Sequence, residues 1–283
     1  MEMLPEKLEE LIHELAVLPY DDMHAASASV QPWELTNYVV WGIVALVVIV
    51  TLFVIVANRE KKQIVLAGGD VGSLAPANRL VGMLESGVEF IRNMAIDVIG
   101  QKDGPKYVPL LGTFFFLILT SNMLGLIPGG KAIGGAMGGA TALALISWLA
   151  FVWVGFTKNG FMGYMKSLIP SGVREMPLAA RIGLGGFIFL LEFLSTFIIR
   201  PLTLSVRLFA NLYAGHIILG VFSTFVVIFT QKIGVGGLAV GSVSLLFLVI
   251  MYAFELFVAF IQAYVFTILT AVYIQSSVHA SEH

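Results

Sequence analysis

Seven polar residues stand where the chain otherwise reads as hydrocarbon: Glu192, Arg200, Arg207, Asn211, His216, Glu255 and Gln262. Four of them fall in "RPLTLSVRLFANLYAGH" (200–216), between "LGGFIFLLEFLSTFII" and "IILGVFSTFVVIF". Their types suit charge handling rather than bond making. Two guanidiniums stay protonated, two carboxylates and an imidazole exchange protons, and two amides hold partners by hydrogen bonds. An ionisable side chain at the membrane centre costs about 3 kcal/mol on insertion scales, so each calls for a partner or a wet path. Structural explanations differ by residue. Arg200, just before Pro201, serves as well by snorkelling or pairing with a neighbour as by function. Asn211 and Gln262 are each also accounted for by a plain interhelical hydrogen bond. For Arg207 the structural explanation is weakest, because both flanks are apolar and nothing near it in sequence neutralises it.

The surroundings of those seven define the solvent. Hydrophobic residues make up 58% of the 283 and charged residues 12%, against about 25% charged in soluble domains. A helix rising about 1.5 Å per residue needs about 20 apolar residues to cross the hydrocarbon core, and several runs reach that length. The composition predicts an all-α integral membrane protein. A net charge of −2 offers no footing for nucleic acid. Without cysteine there is no disulfide or thiolate metal site, and neither a metal nor another cofactor is expected. The sequence has no G-x-S-x-G, Walker loop or H-E-x-x-H, so the chain alone is not expected to act on a soluble substrate. The acidic opening "MEMLPEKLEELIHELAVLPYDDMHA" lacks a basic n-region and is not expected to be a cleaved signal peptide.

Residues 1–36 are expected outside the membrane, with Leu4, Leu8, Leu11, Ile12 and Leu15 marking a short amphipathic helix over 3–17. Residues 37–283 form the membrane domain, with spans predicted at about 39–57, 108–127, 140–156, 182–230 and 238–274. Tyr38 and Trp41 stand at the entrance of the first as an aromatic belt, and "NREKK" (58–62) stops it. The segment 76–100 is too polar to span. Leu80, Leu84, Val88, Ile91, Ala95 and Val98 make one stripe, while Glu85, Glu89, Arg92, Asn93 and Asp97 take other faces. It reads as an interfacial helix. "GGKAIGGAMGG" (129–139) is a turn whose small residues allow close helix packing, and 157–181 is a basic loop with helix breakers. The last two stretches exceed one crossing, which predicts long helices, tilted or bent, in an antiparallel hairpin. Eleven basic residues in the loops between Arg59 and Arg181 fall on one side, and only Lys7, Lys131 and Lys232 on the other. The positive-inside rule then places the N-terminus outside and the C-terminus in the cytoplasm.

A hairpin matches depths. With its turn centred near Val235, Arg207 lies 28 residues before it and Gln262 lies 27 after. His216 lies 19 before and Glu255 lies 20 after, which sets an imidazole beside a carboxylate, a pair suited to proton exchange. Arg207 and Asn211, four apart, share a face, as do Glu255 and Gln262, seven apart. Arg207 and His216, nine apart, look about 180° away from each other, one toward a partner and one into a wet path.

These motifs resemble a known family. "RPLTLSVRLFANLYAGH" is similar to the signature of subunit a of F-type ATP synthases, an R-L-F-x-N-x-x-A-G core led by the essential arginine, here Arg207. "ELFVAFIQAYVFTILTAVYI" (255–274) resembles the family's last helix, and "SNMLGLIP" (121–128) a further family segment. The likeness covers spans two to five and the order of elements. Many relatives follow the proline of span two with an Asp/Asn/Thr-containing stretch; here the glycine-rich turn leaves only Thr141 to match. Some relatives place a carboxylate where His216 stands and a histidine where Glu255 stands, so the order is reversed here while one acid and one base are kept.

The resemblance implies a stator packed against a rotating ring of c subunits, each with a carboxylate at mid-membrane. Further implied partners are peripheral stalk b subunits, the rest of the F-type ATP synthase and membrane lipid, in a bacterial inner membrane. Protons would reach and leave the ring through two offset half-channels, coupling the transmembrane gradient to ATP synthesis. Arg207 would be the coupling residue between them, with His216, Glu255, Gln262, Asn211 and Glu192 along the path and Arg200, Asn122 and Thr141 as further candidates. Two readings from other classes stand beside this one. A secondary transporter or ion channel with a midplane charged site favours internal repeats, which this sequence lacks. A structural scaffold has no use for Arg207, His216 and Glu255 in lipid.

Overall fold

The computed structural model describes residues 32–66, 79–127, 129–168, 178–232 and 235–279. The helix expected over 3–17 lies outside these residues. Every regular element among the described residues is helical, the arrangement a lipid solvent demands because it offers the backbone no hydrogen bonds.

Helix α1 (Pro32–Leu66) contains the apolar run Asn37–Asn58 and continues past "NREKK", so those charges end the hydrocarbon stretch and not the helix. Its cover is light. Phe53 meets Phe116 edge-on at 5.3 Å, while most of its aliphatic side chains face outward. Helix α2 (Arg79–Ile99) occupies the segment read as interfacial. Val81, Ile91, Met94, Ala95 and Ile99 are buried, whereas Glu85, Glu89, Arg92, Asn93 and Asp97 are exposed. The buried edge is rotated from the stripe read in the sequence: Val88 stands 37% exposed, because the helix packs through Met94 and Ile99 as well as Ile91 and Ala95.

Helix α3 (Gly104–Gly125) buries Leu111, Phe114, Phe115 and Ile118. Just before it, Asp103 accepts ion pairs from Lys106 at 2.7 Å and Lys158 at 3.0 Å. The hydrogen bond from Lys106, then that from Lys158, holds the Asp103 carboxyl down at about 2 from its ordinary 3.8. The glycine-rich turn forms a short 3₁₀ segment, Ile133–Gly135, whose Ile133 amide donates to Ser121 Oγ at 2.7 Å. Helix α4 (Met137–Ser167) corrects the expected boundary near 156. The helix carries on to Ser167 across a kink at Gly160 (φ 69°, ψ 160°), a backbone region open to glycine. The breaker bends the helix rather than ending it.

Helix α5 (Leu178–Leu194), a π turn (Ser195–Ile199) and α6 (Arg200–Lys232) make one continuous apolar run, and α7 (Val235–Val278) follows. Asn211 bonds Gln262, Gly215 abuts Glu255 and Phe222 stacks on Phe247 at 5.7 Å. That descending register makes α6 and α7 an antiparallel hairpin. The core lies where α3, α4 and α7 meet α6, around Leu111, Phe151, Leu208, Phe266 and Ile274. Five helices among the described residues are long and apolar enough to cross a membrane. The chain is an all-α, multi-pass integral membrane protein.

Candidate functional site

Leu204, Leu208, Leu212, Gly215 and Leu219 form the buried stripe of α6 against the rest of the fold. At 3.6 residues per turn, Arg207 falls on one flank of that stripe and His216 on the other, about 180° apart. Both side chains are exposed on the outer surface. Arg207 enters no ion pair among the described residues, and Thr203, Ala210 and Ala214, exposed beside it, leave its side chain unobstructed. A permanent cation thus stands on an apolar outer face.

Behind that flank the structure ties the two long helices together. Asn211 Nδ2 donates to Gln262 Oε1 at 3.3 Å, and Gln262 is 5% exposed. The depth match by counting paired Gln262 with Arg207; in the fold its amide is taken by Asn211, one turn further along the same face. Asn122, buried on α3, donates to the Ala259 carbonyl at 3.5 Å and so braces α7 from its other side.

Glu255 is 7% exposed and its carboxylate packs directly on Gly215, where any Cβ would collide with it. Beside it lies a cavity of about 100 Å³ lined by Asn211, Ala214, Gly215, Met251, Glu255 and Val258. Asn211 and Glu255 are its polar walls, and it has room for several waters. The structure therefore brings Gly215, not His216, onto Glu255. His216 is the next residue, at the same depth but exposed on the far flank, and no hydrogen bond or ion pair joins the two among the described residues.

Arg200 pairs with a neighbour, the simpler of its expected roles. Its Nη2 donates to Glu192 Oε1 at 2.8 Å, and its guanidinium lies over the Tyr273 ring at 5.1 Å. Thr141 turns back on its own helix, donating to the Met137 carbonyl at 2.7 Å, and reaches none of the other candidates by hydrogen bond. Sequence reasoning missed Tyr273, which lies under the Arg200 guanidinium, and the buried Ser147–Thr270 hydroxyl pair at 2.8 Å. It also missed Trp148 and Thr196, which bond to each other at the adjoining turn, Thr196 bonding Glu192 as well. Single hydroxyls and rings in apolar helices carry no periodic signal. Pro201 was the available clue, since a proline inside a helix leaves a carbonyl in need of another donor.

Both end motifs and this polar seam lie within residues 39–275, the part of the chain matched by the model of the ATP synthase A chain family. The chain belongs to that family. Three proteins named ATP synthase subunit a illustrate the likeness. That of Rhodococcus erythropolis is 32% identical, covering 99% of this chain and all of the relative. That of Acidiphilium cryptum is 36% identical over 87% of this chain and 89% of its own length. That of Rhodopseudomonas palustris is 37% identical over 77% and 83%. The family match takes in every candidate residue from Asn122 to Gln262. It excludes the opening 38 residues, where the expected amphipathic helix falls.

Proposed function

We propose that the chain is the proton-carrying stator of an F-type ATP synthase, working against a ring of c subunits with a carboxylate at mid-membrane. The observation that carries this is Arg207, a guanidinium exposed on an apolar outer face of a membrane helix with no ion-pair partner among the described residues. Left in lipid it costs about 3 kcal/mol; a ring carboxylate passing that face removes the cost. The cation favours the ionised form of that carboxylate, so a ring site discharges as it arrives. The same charge repels protons that would otherwise pass between two half-channels without turning the ring. Each elementary charge crossing releases about 2.3 kcal/mol per 100 mV, and the arginine makes that energy available only through rotation.

Glu255, its cavity and His216 belong on the outer half of the path, Glu192 on the inner half. The Asn211–Gln262 bond holds the arginine-bearing face at fixed register between them. The excess of basic residues on the loops after spans one and three supports an N-terminus outside and a cytoplasmic C-terminus. Peripheral stalk b subunits and lipid are the remaining proposed neighbours.

The test is ATP synthesis under an imposed gradient, with proton flux, in vesicles holding the whole complex. Arg207→Ala is expected to abolish synthesis and raise passive leak. Arg207→Lys is expected to lose coupling too, since a desolvated ammonium gives up its proton where a guanidinium does not. Normal synthesis by Arg207→Ala would overturn the reading.

A further inference from the structure

The π turn between α5 and α6 has a consequence for the Glu192–Arg200 pair. The two residues are eight apart, which on an unbroken α-helix leaves them about 80° out of line. The turn at Ser195–Ile199 absorbs one residue, so that Arg200 stands two turns from Glu192 on the same face, and the ion pair closes at 2.8 Å. Within the turn the amide of Arg200 donates to the Ser195 carbonyl, five residues back. Pro201 has no amide to give to the next carbonyl, that of Thr196. Trp148 of α4 gives one instead: its Nε1 donates to the Thr196 carbonyl at 3.2 Å. Thr196 Oγ1 lies 3.5 Å from the same Glu192 oxygen that Arg200 holds. Tyr273 of α7 closes the other side of the guanidinium. Three helices and a helix defect thus converge on one carboxylate.

We propose that Arg200 is a positioning residue for proton transfer at Glu192, with the π turn, Trp148 and Tyr273 holding its guanidinium in place. The proposal rests on Glu192 being a group on the proton path. Arg200 acts only through Glu192: it orients the carboxylate and keeps it from swinging into the surrounding apolar side chains. Arg207 carries the coupling role, and Arg200 carries none of it.

A double-mutant cycle tests this in the complete complex, reconstituted in vesicles and normalised to the amount of assembled subunit. Arg200→Gln and Glu192→Gln are each expected to lower proton flux about tenfold, and the double substitution no further than either single one, as coupled residues require. Arg200→Lys, which keeps a cation over Tyr273, should stay within about threefold of the unaltered protein. Additive losses, or unchanged flux in Arg200→Gln, overturn the proposal. If Arg200→Gln fails to assemble because Glu192 is left unpaired, Arg200→Lys decides: slow flux in a fully assembled complex counts against it. Arg207→Ala in the same vesicles separates the two readings. Normal synthesis there sinks the stator assignment, whereas unchanged flux in Glu192→Gln alone removes only Glu192 and Arg200 from the path.

Discussion

At the scale of single residues, the site turns on what lies beside Glu255. The buried Glu255 carboxylate packs on a glycine and opens onto a small cavity with room for water, while a larger residue at 215 would displace it. Gly215→Ala is therefore expected to be deleterious although alanine is the better helix former. The added methyl meets the carboxylate, and overpacking of this kind costs about 1–3 kcal/mol. Proton flux through the assembled complex should fall about tenfold, the rate equivalent of about 1.4 kcal/mol. Arg207, by contrast, is exposed and enters no ion pair among the described residues. The loss expected in Arg207→Ala is one of function with assembly intact, and measuring both separates the two kinds of residue.

At the scale of elements, the π turn is an extra residue taken up within a helix, and the flanking segments keep the faces they would have without it. Deleting Ile198 should convert the turn to ordinary α-helix, leaving Glu192 and Arg200 seven apart and still aligned. The Thr196 carbonyl then lies four residues before the proline, remains without a backbone donor and still needs Trp148. Inserting one alanine after Ile198 should instead turn Glu192 about 100° away from Arg200. Proton flux in vesicles should therefore survive the deletion and fall on the insertion. Equal tolerance of both would show that alignment of the pair is immaterial. The same one-residue logic governs α2, whose apolar edge is set by which side chains α3 and α7 accept and not by the stripe alone.

At the scale of the whole molecule, most helices are held by apolar packing, while Asp103 ties the α2–α3 turn to α4 by charge. Its carboxyl is held at about 2, below the ordinary 3.8. The stabilisation this represents is complete above the ordinary value and is lost as pH falls through about 2. Both lysines remain exposed, so solvent screening keeps the contribution of the cluster small. Asp103→Asn should lower the Tm of the purified subunit by about 2 °C near neutral pH. The difference from the unaltered protein should shrink as pH falls through about 2, where Asp103 takes up its proton, and vanish below it. A difference that persists there would show that Asp103 acts by hydrogen bonding alone.

The sequence by itself determined the solvent, the helical class and the presence of five apolar stretches long enough to cross it, and it marked Arg207 as the cation with the weakest structural explanation. These follow from local composition and from the number of residues a helix needs to cross hydrocarbon, and no partner element is required to read them. Counting from an assumed turn also set His216 level with Glu255 and Arg207 within one helical turn of the Asn211–Gln262 bond, because rise per residue is the same in every helix. Only the tertiary structure decided which neighbour meets which. Azimuth changes by about 100° per residue, so one step exchanges Gly215 for His216 against Glu255, and one absorbed residue brings Glu192 under Arg200. The continuation of α4 through Gly160, the bond from Trp148 to Thr196 and the cation over Tyr273 likewise depend on helices distant in sequence. Length along the membrane normal was legible in the chain; rotation about each helix axis was settled by packing.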